Sequence, residues 1–483
     1  MQDQSVVEAS LQGGLFTLPA GEVRFAAGLQ YREDGFNFRP DASLARTNPV
    51  VTRPDGGTTG GSEIAGFNPQ QSLSGSVNSR EAFVELLVPV LADLPLIQSL
   101  ELSLGYRYAD YTTIGGAGSY KAELDWSVND QLRLRGGIQR AVRAPSIGEL
   151  FAPLNTSFPQ IGSPSATGLA GDPCDSRSSY RTGPNAARVV ALCTAQAAAA
   201  GAAGYVFTNT QVPGITGGNP NLQEETADSF SFGAVITSPF NNPWLSGFSA
   251  SVDYYDIQID NVIGSISAGA QLQGCFNAQG QNPTYDPNNG YCQLFRRDAL
   301  SGSVLDAREL NGNLATLKTS GVDLQFDWRL EMGEAGLPDW GQLNLNVILG
   351  WLESRQRQDV AGGPIIERVG TADLTSSGQT NIFPEWKALT TLDWSNDSFK
   401  AGVRWRYVDE MTVFASTTTL ATTHYFDLFG SWEITEGVSL RATVNNVGDQ
   451  QPRTWVPGVQ ANTDPSTYDV LGRRYSIGLS ARF

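Results

Sequence analysis

Segments of about ten residues that alternate apolar and polar side chains recur along almost the whole chain. In Leu100–Tyr108, Leu100, Leu102, Leu104, Tyr106 and Tyr108 share one face, and Glu101, Ser103 and Arg107 share the other. The pattern returns in Ser119–Ser127, where Tyr120, Ala122, Leu124 and Trp126 oppose Lys121, Glu123 and Asp125. It returns again at Leu132–Gln139, Val322–Leu330 and Phe399–Tyr407, and in the tail, where Tyr475, Ile477, Leu479, Ala481 and Phe483 oppose Ser476, Gly478, Ser480 and Arg482. Successive side chains of a strand point to opposite sides, so each segment has one oily and one wet face. Ten-residue alternation with turn residues between is what an antiparallel transmembrane β-barrel requires. The charged face must line a wet interior, since Arg or Lys at the bilayer midplane costs about 2–4 kcal/mol.

Composition allows this reading. A formal charge of −17 and 40% hydrophobic residues accompany a mean hydropathy of −0.21, and no run of apolar residues is long enough for a spanning helix. Barrels escape that test because only half of each strand faces lipid. The acidity disfavours nucleic acid as a partner, since phosphate backbones require clustered Lys and Arg. Trp126, Trp328, Trp351, Trp394 and Trp432 fall on apolar faces near strand ends, the position of an interfacial girdle. At Val252–Ile259 the phase breaks, with Val252 and Tyr254 on one face and Tyr255, Ile257 and Ile259 on the other, which reads as a bulge near Asp256.

Connections alternate in length. Short turns are expected at Leu18–Gly21, Pro89–Pro95, Asn129–Asp130, Pro239–Pro243, Gly333–Pro338, Asn396–Asp397 and Thr435–Gly437, and outer loops near 34–78, 142–224, 261–316, 353–384, 408–422 and 449–472. The link at 112–117 is not long. The run Ala195–Gly204 reads as a flexible or weakly helical insert in the longest loop. Counting gives about fifteen strands, the first and last both running inward, whereas single-chain bacterial barrels have an even number. The odd count leaves two readings, a miscount by one or early strands missing upstream, and Met1–Glu8, which does not look like a secretory signal, favours the second.

The four cysteines form two local pairs, Cys174 with Cys193 and Cys275 with Cys292, in Gly/Pro/Asn-rich stretches outside any strand. This spacing suggests two loop-closing disulfides, each removing about 3 kcal/mol of unfolded-chain entropy, with four free thiols as the alternative. No metal-ligand spacing is present, and the single histidine, His424, reads as a rim or girdle residue. No nucleophile elbow or phosphate-binding loop is found, so enzymatic chemistry and a cofactor are not expected.

Several segments resemble the TonB-dependent outer-membrane receptors. Arg140–Phe151, with Arg143, Ala144, Pro145, Ser146, Glu149, Leu150 and Phe151, resembles that family's strand-to-loop signature. Gly218–Thr226, with Asn219, Pro220, Asn221 and Leu222, resembles the segment that re-enters the next strand. Thr319–Asp323, Asn445–Pro452 and Gly472–Phe483 resemble its late-barrel landmarks.

The resemblance covers residues 1–483 as a partial receptor barrel, the C-terminal two-thirds of a 22-stranded wall, and would leave about seven strands upstream. It implies a location in the outer membrane of a Gram-negative bacterium, embedded in lipid, and a plug domain outside this chain that contacts TonB. It also implies uptake of a small-molecule or glycan ligand, such as a siderophore, glycan or cobalamin. Tyr475 and Phe483 would carry the signal read by the barrel-assembly machinery. Haem, which some such receptors hold through a histidine between the two motifs, is disfavoured because no histidine lies from Arg143 to Asn221.

Pro145 cannot donate to a ladder and so ends its strand, and Asn219, Pro220 and Asn221 form a turn that returns the chain to the wall. Arg140 and Arg143, beside Glu149, Glu224 and Glu225, are placed for a charge network at the lumen or rim. The loop aromatics Tyr180, Tyr205, Phe207, Tyr285, Tyr291 and Phe295 are candidates to stack on a sugar or an aromatic chelate. The competing readings are a passive, plugless porin-like channel and an inactive gene remnant.

Overall fold

In the computed structural model, which describes residues 1–45, 48–52, 58–61, 69–166, 168–314, 316–359, 363–374, 380–414, 416–455 and 462–482, the alternating segments form one antiparallel sheet. Its consecutive strands are β1 (Gln2–Leu18), β2 (Gly21–Phe38), β3 (Leu73–Leu94), β4 (Ile97–Tyr111), β5 (Gly115–Ser127), β6 (Leu132–Arg143), β7 (Glu225–Thr237) and β8 (Phe248–Asp260). These are followed by β9 (Thr316–Glu331), β10 (Gln342–Gln358), β11 (Trp386–Ser395), β12 (Phe399–Val408), β13 (Thr423–Thr435), β14 (Val438–Asn445) and β15 (Arg474–Ala481). Each pairs with the next in sequence, and the short strand Ile366–Glu367 adds to β10 off this path. Among the described residues β1 and β15 do not pair, so the sheet has two open edges.

The two faces divide as the period of two requires. One is apolar and exposed, with Tyr106, Leu124, Ile138, Phe232, Leu428 and Ile477 each at least 44% accessible. The other carries the cross-strand ion pairs Arg107–Glu81, Arg133–Asp125 and Arg406–Asp427. An exposed apolar belt backed by a charged face is stable only where the belt meets lipid.

Indole groups mark the ends of the belt. At the short-turn side Trp126, Trp328 and Trp394 donate their Nε1–H to the carbonyls of Leu96, Trp244 and Trp340 in neighbouring turns, each at 2.9 Å. At the opposite side Trp351 stacks on Trp386, and Trp405 stacks on His424 and donates to its Nδ1 at 3.2 Å. An aromatic ring with one polar edge suits such a boundary between oil and water.

Three expectations need correction. Pro89–Val90 lies inside β3, where the register shifts between Pro89 and Leu91, and the turn is confined to Pro95–Leu96. The bulge absorbs a residue that cannot donate to the ladder. The bulge expected near Asp256 is not on its own strand: β8 is in unbroken register with both neighbours, and the shift lies one ladder over, in the β9–β10 pair between Ser320, which faces Asp256, and Gly321. The hydrophobic phase breaks in the sequence because β8 outruns the apolar belt. Its outward side turns polar, with Asp256 paired to Lys318 at 2.9 Å, while Ile257 and Ile259 are half-buried on the other face. The alanine-rich run is not a loose insert: Ala186–Gln196 and Ala198–Gly201 are helical and Ala200 is fully buried.

Candidate functional site

Two long connections, 144–224 between β6 and β7 and 261–315 between β8 and β9, fold into one lobe over the long-loop end of the sheet. Val189, Leu192, Cys193 and Val212 from the first share a core with Leu272, Cys275, Phe276, Phe295 and Val304 from the second. The cysteines are joined as Cys174–Cys193 and Cys275–Cys292, one bridge in each connection. Between the connections lies the pair Arg297–Asp172, 2.7 Å apart with both side chains inaccessible to solvent. Arg297 is flanked by the rings of Phe276 and Phe295, and the Tyr205 hydroxyl donates to Asp172 at 3.1 Å. A guanidinium is tolerated at such depth because its charge and its donors are matched there.

This packing overturns the ligand-stacking expectation for the loop aromatics. Tyr180, Tyr205, Phe207, Tyr285, Tyr291 and Phe295 are each no more than 9% accessible. They belong to the lobe core, because a loop segment of this size folds only by burying its largest apolar rings.

The two recognised motifs meet at the foot of the lobe. Arg143, the last residue of β6, faces Glu225, the first of β7, and bonds it at 2.5 Å. The same guanidinium grips both oxygens of Glu149 at 2.9 and 3.0 Å. Glu149 is the third residue of the helix Ile147–Phe151 and closes a capping box with Ser146, which leaves Ala144 and Pro145 as the bend out of the strand. Its lowered pKa reflects burial, which works to raise it, outweighed by the bonds from Arg143 and Ser146.

Leu150 and Leu222 are buried beneath this knot, and Asn219 receives a turn bond from Asn221 N–H at 3.0 Å. The Asn219 side-chain amide donates to the Asn311 carbonyl, and the Asn311 amide donates to the Glu149 carbonyl, which ties in the second connection. A Cβ at Gly218 would press on the backbone of Leu150 and Ala152, so only glycine allows this approach. Phe151 is partly exposed, and Pro220 lies in the exposed turn.

Two members of the expected charge network lie elsewhere. Arg140 is on the opposite face of β6, paired with Asp228 at 2.7 and 2.6 Å, and Glu224 takes no part in the Arg143 knot. The reason is parity, since Arg140 and Arg143 are three residues apart and a strand turns such residues to opposite sides. Asp172, Arg297 and Asn311 give no local signal, because each acquires its role from a partner in another connection.

Below the lobe, the polar face holds a cavity of about 590 Å³ lined by Glu101, Glu123, Asp125, Arg133, Arg135 and Asp253. A smaller one of about 240 Å³ is lined by Gln30, Arg32, Glu81 and Arg107. A second loop cluster buries Ala372, Met411, Leu420, Trp455 and Tyr468 beside β12 and β13. Among the described residues no group of His, Cys, Asp and Glu is arranged to hold a metal ion. Tyr475 is exposed on the apolar face of β15, and Phe483 lies outside the described residues.

The family model of the TonB dependent receptor-like β-barrel matches residues 2–447. No curated protein matches the sequence. Among solved structures, the siderophore receptor PirA of Acinetobacter baumannii is similar with a TM-score of 0.58 and 13% identity, over 100% of this chain and 55% of that one. A mutant of the ferric enterobactin receptor PfeA of Pseudomonas aeruginosa, in complex with enterobactin, gives 0.59 and 16%, over 100% and 54%. The FrpB iron transporter of Neisseria meningitidis gives 0.53 and 11%, over 100% and 55%. These likenesses are of fold, and the chain spans about half the length of the proteins it matches.

Proposed function

Given that the chain belongs to the TonB-dependent receptor β-barrel family of the Gram-negative outer membrane, we propose that it is part of a receptor for TonB-coupled uptake of a scarce nutrient. In this reading the polar face of the sheet lines the lumen, and the ligand arrives at its outer mouth beside the loop lobe. A plug domain outside this chain passes the pull of TonB to the lumen. The open edges at β1 and β15 are the sides on which further strands complete the wall, since unpaired edge backbone is not tolerated in a bilayer. No step is chemical catalysis. The work is binding, gating and passage.

The observation that carries this reading is the covalently tied lobe clamped to the wall by Arg143, Glu149 and Glu225 above a charged lumen. A general diffusion pore has no need of a preorganised surface at its outer mouth, whereas a receptor that must bind a dilute ligand gains affinity from one. The test is growth under nutrient limitation in cells expressing the native gene, with and without functional TonB. Growth that requires TonB is expected. Equal uptake without TonB would replace this reading with a passive channel.

A further inference from the structure

At the short-turn end of the sheet, two connections are longer than the ladder requires. Pro19–Ala20 joins β1 to β2 and Pro95–Leu96 joins β3 to β4, whereas residues 238–247 join β7 to β8 and residues 332–341 join β9 to β10. An antiparallel pair needs only two residues to turn, so pairing does not account for the extra chain.

Both long turns lean on the apolar side of the wall. Phe240 packs against Phe248, which pairs in the ladder with the girdle residue Trp328 and stacks on Phe326, the ring centroids being 6.3 Å apart in each contact. The Trp244 and Trp340 carbonyls are the ones that accept the girdle indoles of Trp328 and Trp394. Gly247 accepts the Arg329 N–H at 3.0 Å, and a Cβ there would collide with the Arg329 carbonyl, so the first turn is pressed onto β9.

These turns hold large apolar side chains in the open. Phe240 is 50% accessible, Trp244 and Leu245 are each 46%, Leu337 is 39% and Trp340 is 65%. Their backbone is pinned. Asn242 caps the helical turn Pro243–Ser246 by accepting the Trp244 N–H at 2.9 Å, and Ser238 donates to the Leu245 carbonyl at 2.5 Å. In the second turn Met332 donates to Gly341, and Leu337 to Met332, each at 3.0 Å. The first turn has no charged residue, and the second has only Glu334 and Asp339, both exposed.

We infer that residues 238–247 and 332–341 form a foot that lies outside the wall in the headgroup layer of the periplasmic leaflet and rests on zwitterionic phospholipid with an ammonium headgroup. Lipid is the occupant because the foot is continuous with the lipid-facing girdle, ring against ring and carbonyl against indole. Rings and leucines beside a polar backbone suit that layer, where an interfacial segment lies in the membrane plane with its apolar side down. Anionic headgroups are drawn by clustered Lys and Arg, which both turns lack. Glu334 and Asp339 favour an ammonium group in their place. The inference requires only that the sheet spans the outer membrane, and it is independent of TonB coupling and of the cargo.

The test uses the native-length receptor, its two disulfides intact, with one added cysteine carrying a nitroxide label. Leu245→Cys and Leu337→Cys probe the foot, and Asp397→Cys probes the short exposed turn between β11 and β12. In phosphatidylethanolamine–phosphatidylcholine vesicles, collisions of each label with oxygen, which concentrates in lipid, are compared with collisions with a water-soluble nickel chelate. Retained heat-modifiable migration on gels selects variants that are folded. The oxygen-to-nickel ratio is expected to be several-fold higher at positions 245 and 337 than at 397. Adding Trp340→Ser should shift the label at 337 toward the ratio at 397, and phosphatidylglycerol in place of phosphatidylethanolamine should lower the ratio at 337.

Ratios at 245 and 337 equal to that at 397 would overturn the foot. Labels shielded from both reagents in intact outer membranes but not in vesicles would overturn the lipid occupant in favour of a periplasmic protein. Equal ratios in the two kinds of vesicle would overturn the headgroup assignment.

Discussion

Arg135 of β6 and Asp253 of β8 form a two-bonded ion pair, 2.8 and 2.7 Å, across the strand that separates them. They meet over Gly233 of β7, which pairs with both in the ladder and whose missing Cβ leaves room for the Asp253 carboxylate. Gly233→Ala should therefore destabilise the wall by about 1–3 kcal/mol through overpacking. The measurement is the thermal midpoint in detergent. In an Asp253→Ala background the same change should cost markedly less, and equal costs in the two backgrounds would contradict the overlap.

The buried pair of the lobe should behave differently from exposed ones. Asp172→Asn leaves Arg297 without its counter-charge at zero accessibility, and breaking such a pair costs about 3–5 kcal/mol. Limited proteolysis should then cut within 144–224 while the sheet strands survive. Resistance equal to the parent's would show that the pair does not hold the two connections together.

Removing the Cys174–Cys193 bridge by replacing both cysteines with serine should cost the lobe about 3 kcal/mol in the chain-entropy model. Insertion of the sheet should be unaffected, because both cysteines lie outside its strands. Mass-resolved proteolysis separates a loosened lobe from failed insertion.

Glu309, on the lobe strand Ala307–Leu310, has a raised pKa because burial disfavours its charge, only partly offset by the N–H of Ala268 at 2.7 Å. A carboxyl raised on folding contributes stability below its unfolded value of about 4.3 and loses it as pH rises through the folded value. Glu309→Gln keeps the acceptor and removes the titration. It should stabilise the lobe against proteolysis at pH 7, with the advantage vanishing below about pH 4. An advantage of equal size at both pH values would refute the titration.

Single cysteines should report the two faces of β4. In intact outer membranes a water-soluble thiol reagent should label Glu101→Cys, at the wall of the larger cavity, and spare Leu104→Cys on the apolar side. Free labelling at position 104 would reverse the assignment of faces.

Most of the wall was legible from the period of two alone. The faces of Leu100–Tyr108 and Leu132–Gln139, the girdle tryptophans and the cysteine pairs all follow from local spacing. The lobe was not legible, since its core joins segments such as those of Asp172 and Arg297, 125 residues apart, with no repeat to betray them. For the same reason Tyr180 and Phe295 read as exposed loop rings and proved to be core. The knot of Arg143, Glu149 and Glu225 was visible as a motif, but nearness in sequence misplaced Arg140, whose odd spacing from Arg143 sends it to the other side of β6.

Because Asp172 and Arg297 neutralise each other from different connections, the two loops form a single heritable cassette. A recombination event that exchanged only 144–224 would strand a buried guanidinium in the recipient. Diversification of this mouth is therefore expected to proceed by joint replacement of both segments, or by drift confined to the outer skin of the lobe.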